Sequence, residues 1–127
     1  MSETSLYDIR VTVRTQFIAS QSDPDNNRFV FAYHITILNE GERAAQLLRR
    51  RWLIIDGDNK EQEVTGDGVV GQQPVIQPGA SYEYSSGCVL DTEVGAMEGH
   101  YEMLADDGHL FNAEIPRFIL AAPRVLH

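Results

Sequence analysis

Six residues, Gly66-Asp67-Gly68-Val69-Val70-Gly71, carry the G-x-G-x-x-G spacing that cradles a pyrophosphate when a strand feeds it and a helix opens on it. Gln72-Gln73-Pro74-Val75-Ile76-Gln77-Pro78-Gly79 follows, and its two prolines end any helix within a turn. The dinucleotide reading therefore fails. Two readings remain: a nest of loop N–H groups around an anion, or a wide turn in which Gly66, Gly68 and Gly71 supply positive φ or close approach. Asp67, with Glu61 and Glu63 just upstream, repels an anion and favours the turn.

Arg49-Arg50-Arg51 is the second concentration of chemistry, because a guanidinium is the side chain suited to bidentate carboxylate or phosphate recognition. On a strand, Arg49 and Arg51 face one way with Leu47, Leu53 and Ile55, and Arg50 faces the other with Leu48, Trp52 and Ile54. The three cannot form one clamp. Arg49 and Arg51 are the expected counter-charges for a ligand or partner, unless they spend themselves on neighbouring carboxylates.

Other chemistries find no pattern. His34, His100, His109 and His127 are scattered, and one cysteine excludes zinc-finger spacing. Asp56 to Asp67 begins like a calcium loop, but Lys60 and Glu61 stand at its fifth and sixth positions. Ser85-Ser86-Gly87-Cys88 is no nucleophile elbow, and the pairs Asp106/Asp107 and Glu93/Glu98 are what any acidic chain offers. No catalytic residue, metal ligand or cofactor is assigned. Trp52 is expected in the core. Tyr82 and Tyr84, on one face of a strand, suit either packing or a protein-binding surface rich in aromatics and arginine.

The elements that must position these groups show a side-chain period of two almost throughout. Ile9, Val11, Val13 and Phe17 alternate with polar residues. From Arg28 to Asn39, Phe29, Phe31, Tyr33, Ile35 and Ile37 line one face of what reads as a central strand. Ala45–Asp56 is a third strand, followed by shorter ones around Glu61–Thr65, Ser81–Ser86, Glu98–Ala105, Leu110–Ile115 and Phe118–Leu120. Thr92–Met97 leaves room for a helical turn. This predicts an all-β, immunoglobulin- or fibronectin type III-like two-sheet antiparallel sandwich of about seven strands, with a small barrel as the alternative. Residues 1–127 read as one domain with residues 1–6 and 122–127 frayed.

Bulk properties narrow the partners. A net charge of −9 repels nucleic-acid backbones and anionic lipid, so neither general nucleic-acid binding nor membrane association is expected. The N-terminus lacks a signal-peptide pattern. Lone Cys88 reads as a small hydrophobe in a reducing compartment, so the expected location is cytoplasmic.

Five blocks in order resemble the ApaG domain: Leu47-Leu48-Arg49-Arg50-Arg51-Trp52, Val64 to Pro74, Pro78-Gly79, Tyr84-Ser85-Ser86-Gly87, and Gly95-Ala96-Met97-Glu98-Gly99-His100-Tyr101. The resemblance spans essentially the whole chain. It implies a fibronectin type III-like sandwich that occurs alone in bacteria and as a protein-contact module in larger eukaryotic proteins. It also implies an association with a cobalt and magnesium efflux phenotype, and a suggestion of pyrophosphate or nucleotide binding at Gly66, Gly68 and Gly71. It supplies no catalytic residues. The expectation is a non-enzymatic module for an unidentified protein partner, with a pyrophosphate or nucleotide site on the glycine loop as the alternative and edge-paired homodimerisation left open.

Overall fold

The computed structural model describes residues 5–123. Eight strands form two antiparallel sheets: β1 (Ile9–Phe17), β2 (Phe29–Asn39), β3 (Ala45–Asp56), β4 (Glu61–Asp67), β5 (Val75–Ile76), β6 (Ser81–Leu90), β7 (Val94–Ala105) and β8 (Leu110–Ala121). One sheet has the order β1-β2-β6. The other has β4-β3-β7-β8, with β5 pairing the start of β3. This is the expected two-sheet sandwich, not a closed barrel.

The period-two pattern decides the faces. Phe31, Ile35 and Ile37 of β2 meet Leu47 of β3, Met97, Tyr101 and Met103 of β7 and Leu120 of β8 in a single core. Each is at most 1% exposed. Burial of such side chains stabilises by roughly 1.5–3 kcal/mol apiece, which holds sheets of this size together without a disulfide. Cys88 is buried in the same cluster, and burial pushes its thiol up to about 11.

Three expectations are corrected. Thr92–Met97 contains no helical turn: Val94 already begins β7, and the link from β6 is held by the Thr92 hydroxyl, which accepts from Gly57 N and donates to Val94 O. Leu110–Ile115 and Phe118–Leu120 are one strand, because β8 is an edge and a register shift opposite Met97–Gly99 absorbs Pro116. β6 runs on to Leu90, with Gly87 paired to Ala32.

A fourth correction bears on the site. The β3–β7 register shifts between Leu47 and Arg49, so Leu48 is an extra residue in the ladder. That bulge resets the phase, and Leu47 lies inward with Arg50 and Trp52 rather than outward with Arg49 and Arg51.

The expected fraying falls mostly outside the described residues. Of those described, Leu6 O accepts from Glu42 N and Arg43 N, and Ala122 N donates to Glu93 O.

The two long sides of the sandwich differ. β1 packs on β8 along one side, whereas β4 and β6 make no comparable contact along the other. The second side is left splayed, and the chemistry-bearing residues lie there.

Candidate functional site

The glycine motif is a strand end followed by a tight hairpin. Gly66 lies within β4, paired to Arg50. Val69 and Gln72 exchange both backbone hydrogen bonds, at 2.8 and 2.9 Å, around Val70 (φ 48°) and Gly71 (φ 76°). Positive φ at both central positions defines a type I′ turn, whose twist suits a two-residue hairpin. Glycine accounts for Gly71. It does not account for Val70, a β-branched residue in the left-handed region and 65% exposed at the tip. Val69 beside it is fully buried and pins the hairpin to the core.

The Leu48 bulge anchors the same loop. Its carbonyl accepts from Gly68 N at 2.8 Å and from Gln73 Nε2 at 2.9 Å. Gly68 is held in place sterically as well: its φ is 63°, and an added Cβ would lie 2.3 Å from the Gln72 carbonyl oxygen.

Arg50 is the arginine that meets this loop. Its Nη1 donates to Asp67 O at 3.1 Å and to Gly68 O at 2.8 Å. The guanidinium lies flat over Gly66, where a Cβ would come within 2.8–2.9 Å of its atoms. So the motif makes room for the protein's own cation and turns carbonyls, not N–H groups, toward it. The N–H groups of Gly68, Val69 and Gln72 are all bonded internally, which leaves Val70 and Gly71 N–H at the tip.

Arg49 and Arg51 do not converge on the loop. Arg49 is exposed and lies between Asp67, 3.5 Å away, and Glu102, 3.9 Å away. Arg51 pairs with Glu63 at 2.6 Å. Exposed pairs of this kind contribute about 0–1 kcal/mol each. Both side chains therefore face the solvent side of the larger sheet, where Arg49 reaches the motif only through the Asp67 carboxylate and Arg51 not at all.

The tyrosines divide. Tyr84 is buried, and its hydroxyl is hydrogen-bonded to that of Tyr101 inside the core. Burial raises both phenols well above the usual tyrosine range. It cannot be part of a contact surface, because the alternation that places Tyr84 inward places it between the sheets. Tyr82 is half-buried against the same core. Trp52 is buried, packed edge-on against Tyr33 and Phe118.

Sequence reasoning missed one cluster. On the outer face of the smaller sheet, His34 Nδ1 is 2.8 Å from Ser85 Oγ, and His34 Nε2 is 3.0 Å from Glu83 Oε1. Thr36 also donates to Glu83, and these two hydrogen bonds hold the Glu83 carboxyl below its usual range. The residues are direct and diagonal cross-strand neighbours: His34 pairs Ser85 and Thr36 pairs Glu83. The serine–histidine–glutamate order resembles a nucleophile relay, but the strand N–H groups lie in the sheet plane and none is aimed where an oxyanion would form. The alternation of β2, which puts His34 and Thr36 on its outer face, was the available signal.

The profile of the ApaG domain matches residues 19–105. The chain belongs to the ApaG domain family. It is 58% identical to Protein ApaG of Aromatoleum aromaticum and 57% identical to that of Dechloromonas aromatica, in both cases over all of both chains. Its structure is similar to the crystal structure of a Bordetella pertussis protein described as ApaA, with a TM-score of 0.93 and 44% identity, covering 97% of this chain and all of that one. In the ApaG domain described here, four of the five resemblance blocks meet at the open side. Arg50 and Trp52, Val64, Ser86 with Gly87, and Met97 line one hollow between the sheets.

Proposed function

We propose that the chain is a non-enzymatic, cytoplasmic binding module whose partner is a protein, engaged through the Val70 hairpin and the adjoining Arg49 and Arg51 face. The observation that carries this reading is Val70. A left-handed β-branched residue costs on the order of 1–2 kcal/mol, and here it holds an apolar side chain in water on a turn fastened by Val69, Leu48 and Arg50. Strain kept at an exposed tip is economical where the tip is used. The flanking arginines supply charge and geometry suited to carboxylates on a partner. A module of this kind would reach the family's cobalt and magnesium efflux phenotype through its partner rather than by holding the cation. Among the described residues no group of three or more His, Cys, Asp or Glu is arranged to hold a metal.

Affinity capture with wild type, Val70→Gly, Arg49→Glu and, as a control on the other sheet, Arg14→Glu tests the reading. Val70→Gly and Arg49→Glu are expected to lose the same captured protein that Arg14→Glu retains. Identical captures from all four would reject the surface.

A second reading, pyrophosphate or a nucleotide at Gly66–Gly71, is favoured only by the two outward N–H groups of Val70 and Gly71. Amide shifts at these two residues during an NMR titration with pyrophosphate and ATP would support it. Their absence at millimolar ligand would end it.

A further inference from the structure

Along the splayed side, the space between edge strands β4 and β6 holds two hollows that share Ile54 and Val89. The inner one, about 220 Å³, is lined by Trp52, Met97, Val64, the Tyr33 ring and the Cys88 thiol. Arg50 is its only charged lining residue. The outer one continues the cleft but ends on Asp56, Glu61 and Asp91 with Lys60. The cleft is therefore cationic at one end and acidic at the other, with an apolar wall between.

The state of Arg50 makes the inner end specific. Nη1 is committed to the carbonyls of Asp67 and Gly68. The Nε–H and the Nη2–H have no protein partner among the described residues, and these two lie side by side along one edge of a guanidinium. That edge is the fork that matches both oxygens of a carboxylate. Gly66 gives the guanidinium its seat, so the fork is held rather than swinging in solvent. A benzene-sized molecule fits a cavity of about 150 Å³, so the inner hollow has room for such a ring and a little more.

We propose that this cleft is a binding site for a small monocarboxylate with an apolar body of about one aromatic ring, its carboxylate on the free edge of Arg50 and its ring among Ile54, Val64 and Val89, over a floor of buried Trp52 and Met97. The acidic outer end excludes the reversed orientation. The inference does not depend on the protein-partner reading, since it concerns the cleft between the sheets and not the hairpin tip or the outer arginines. It gives the glycine motif a role opposite to phosphate cradling: the motif positions a cation that a carboxylate then meets.

Trp52 is the chain's single tryptophan, so its fluorescence reports on the cleft directly. Benzoate, phenylacetate, benzyl alcohol and inorganic phosphate would each be titrated, with parallel amide spectra. The expected result is a saturable change with benzoate or phenylacetate, at least about ten-fold weaker for benzyl alcohol, and none for phosphate. Arg50→Lys keeps a charge but loses the fork, and is expected to weaken the carboxylates about ten-fold. Should that variant fail to fold, Val89→Phe at the exposed mouth is expected to block binding while leaving the core intact. No saturable response to either carboxylate, equal responses to benzyl alcohol and benzoate, or a saturable Trp52 response to phosphate as strong as that to benzoate would each overturn the proposal; a phosphate response confined to the hairpin amides would instead mark a separate anion site at the loop tip.

Discussion

The closed and open long sides of the sandwich are built on different terms. On the closed side, β1 lies on β8, and Tyr7 completes the contact by stacking on His109 at 4.1 Å and leaning on Phe111 at 5.4 Å. Its hydroxyl donates to Asp107, which holds that carboxyl below its usual range. On the open side, the same apolar layer ends on Arg50, Val64 and Cys88 with nothing drawn across it. A sandwich can be sealed by aromatic and aliphatic packing along one side alone. The side left unsealed is where a residue such as Arg50 can be half-buried and still have unspent donors.

That contrast can be broken most severely by cavity formation. Leu120→Ala, on β8 in the core, is expected to cost about 3–5 kcal/mol in chemical denaturation, whereas Val64→Ala at the open side is expected to cost about 1 kcal/mol. Equal costs would mean the two sides are packed alike. Next in size, Gly68→Ala introduces both a 2.3 Å backbone clash and an unfavourable φ, and is expected to cost about 2–4 kcal/mol. Gly71→Ala shares the positive φ without any neighbour within 4 Å, and is expected to cost only about 1 kcal/mol.

These glycines also show how much of the molecule was legible beforehand. The ends of β3 at Ala45 and Asp56 followed from the turn clusters Asn39–Glu42 and Asp56–Asn59 that flank it, and the inward set of β2 followed from alternation, because one of its faces had to be buried. The Leu48 bulge was not legible: Leu-Leu-Arg-Arg-Arg-Trp reads equally well in either phase, and only the β7 partner decides. The loop-binding role falls to Arg50 and not to Arg49 or Arg51, and the usable signal is that alternation places Arg50 with Trp52 and Ile54, an arginine on the apolar face of a strand. Alternation puts Tyr84 on one face with Tyr82, Cys88 and Leu90, but does not say that its hydroxyl has a partner inside. That partner is Tyr101, seventeen residues away and in the other sheet, and only the fold brings the two hydroxyls together.

A smaller effect sharpens the contrast through pH. Cys88 lines the open cleft, and its thiol is raised to about 11 by burial. A raised acid favours folding below the unfolded pKa of about 8.5, and that contribution is lost as pH rises toward 11. Comparing wild type with Cys88→Ala cancels the tyrosines, whose shifts act in the same direction. The wild type is expected to lose about 1–2 kcal/mol more between pH 8.5 and pH 11. Identical slopes would place the thiol in contact with water. The smallest expected change is Arg51→Ala, which breaks the exposed pair with Glu63 and should move stability by no more than about 0.5 kcal/mol, less at high salt.

The pairing of β2 with β6 sets a condition on how this chain is made. Phe29 pairs Leu90, and the strands between them belong to the other sheet. At ribosomal speeds of about 5–20 residues per second, the stretch from Asn39 to Leu90 takes roughly 3–10 seconds to emerge. During that interval β2 has only β1 beside it, and the layer facing Phe31, Ile35 and Ile37 still lacks Met97, Tyr101, Met103 and Leu120 of β7 and β8. The nascent chain is then a sticky two-stranded ribbon. The order of its strands therefore exposes it to early association with chaperones, or with a neighbouring copy on the same messenger, before any mature surface exists.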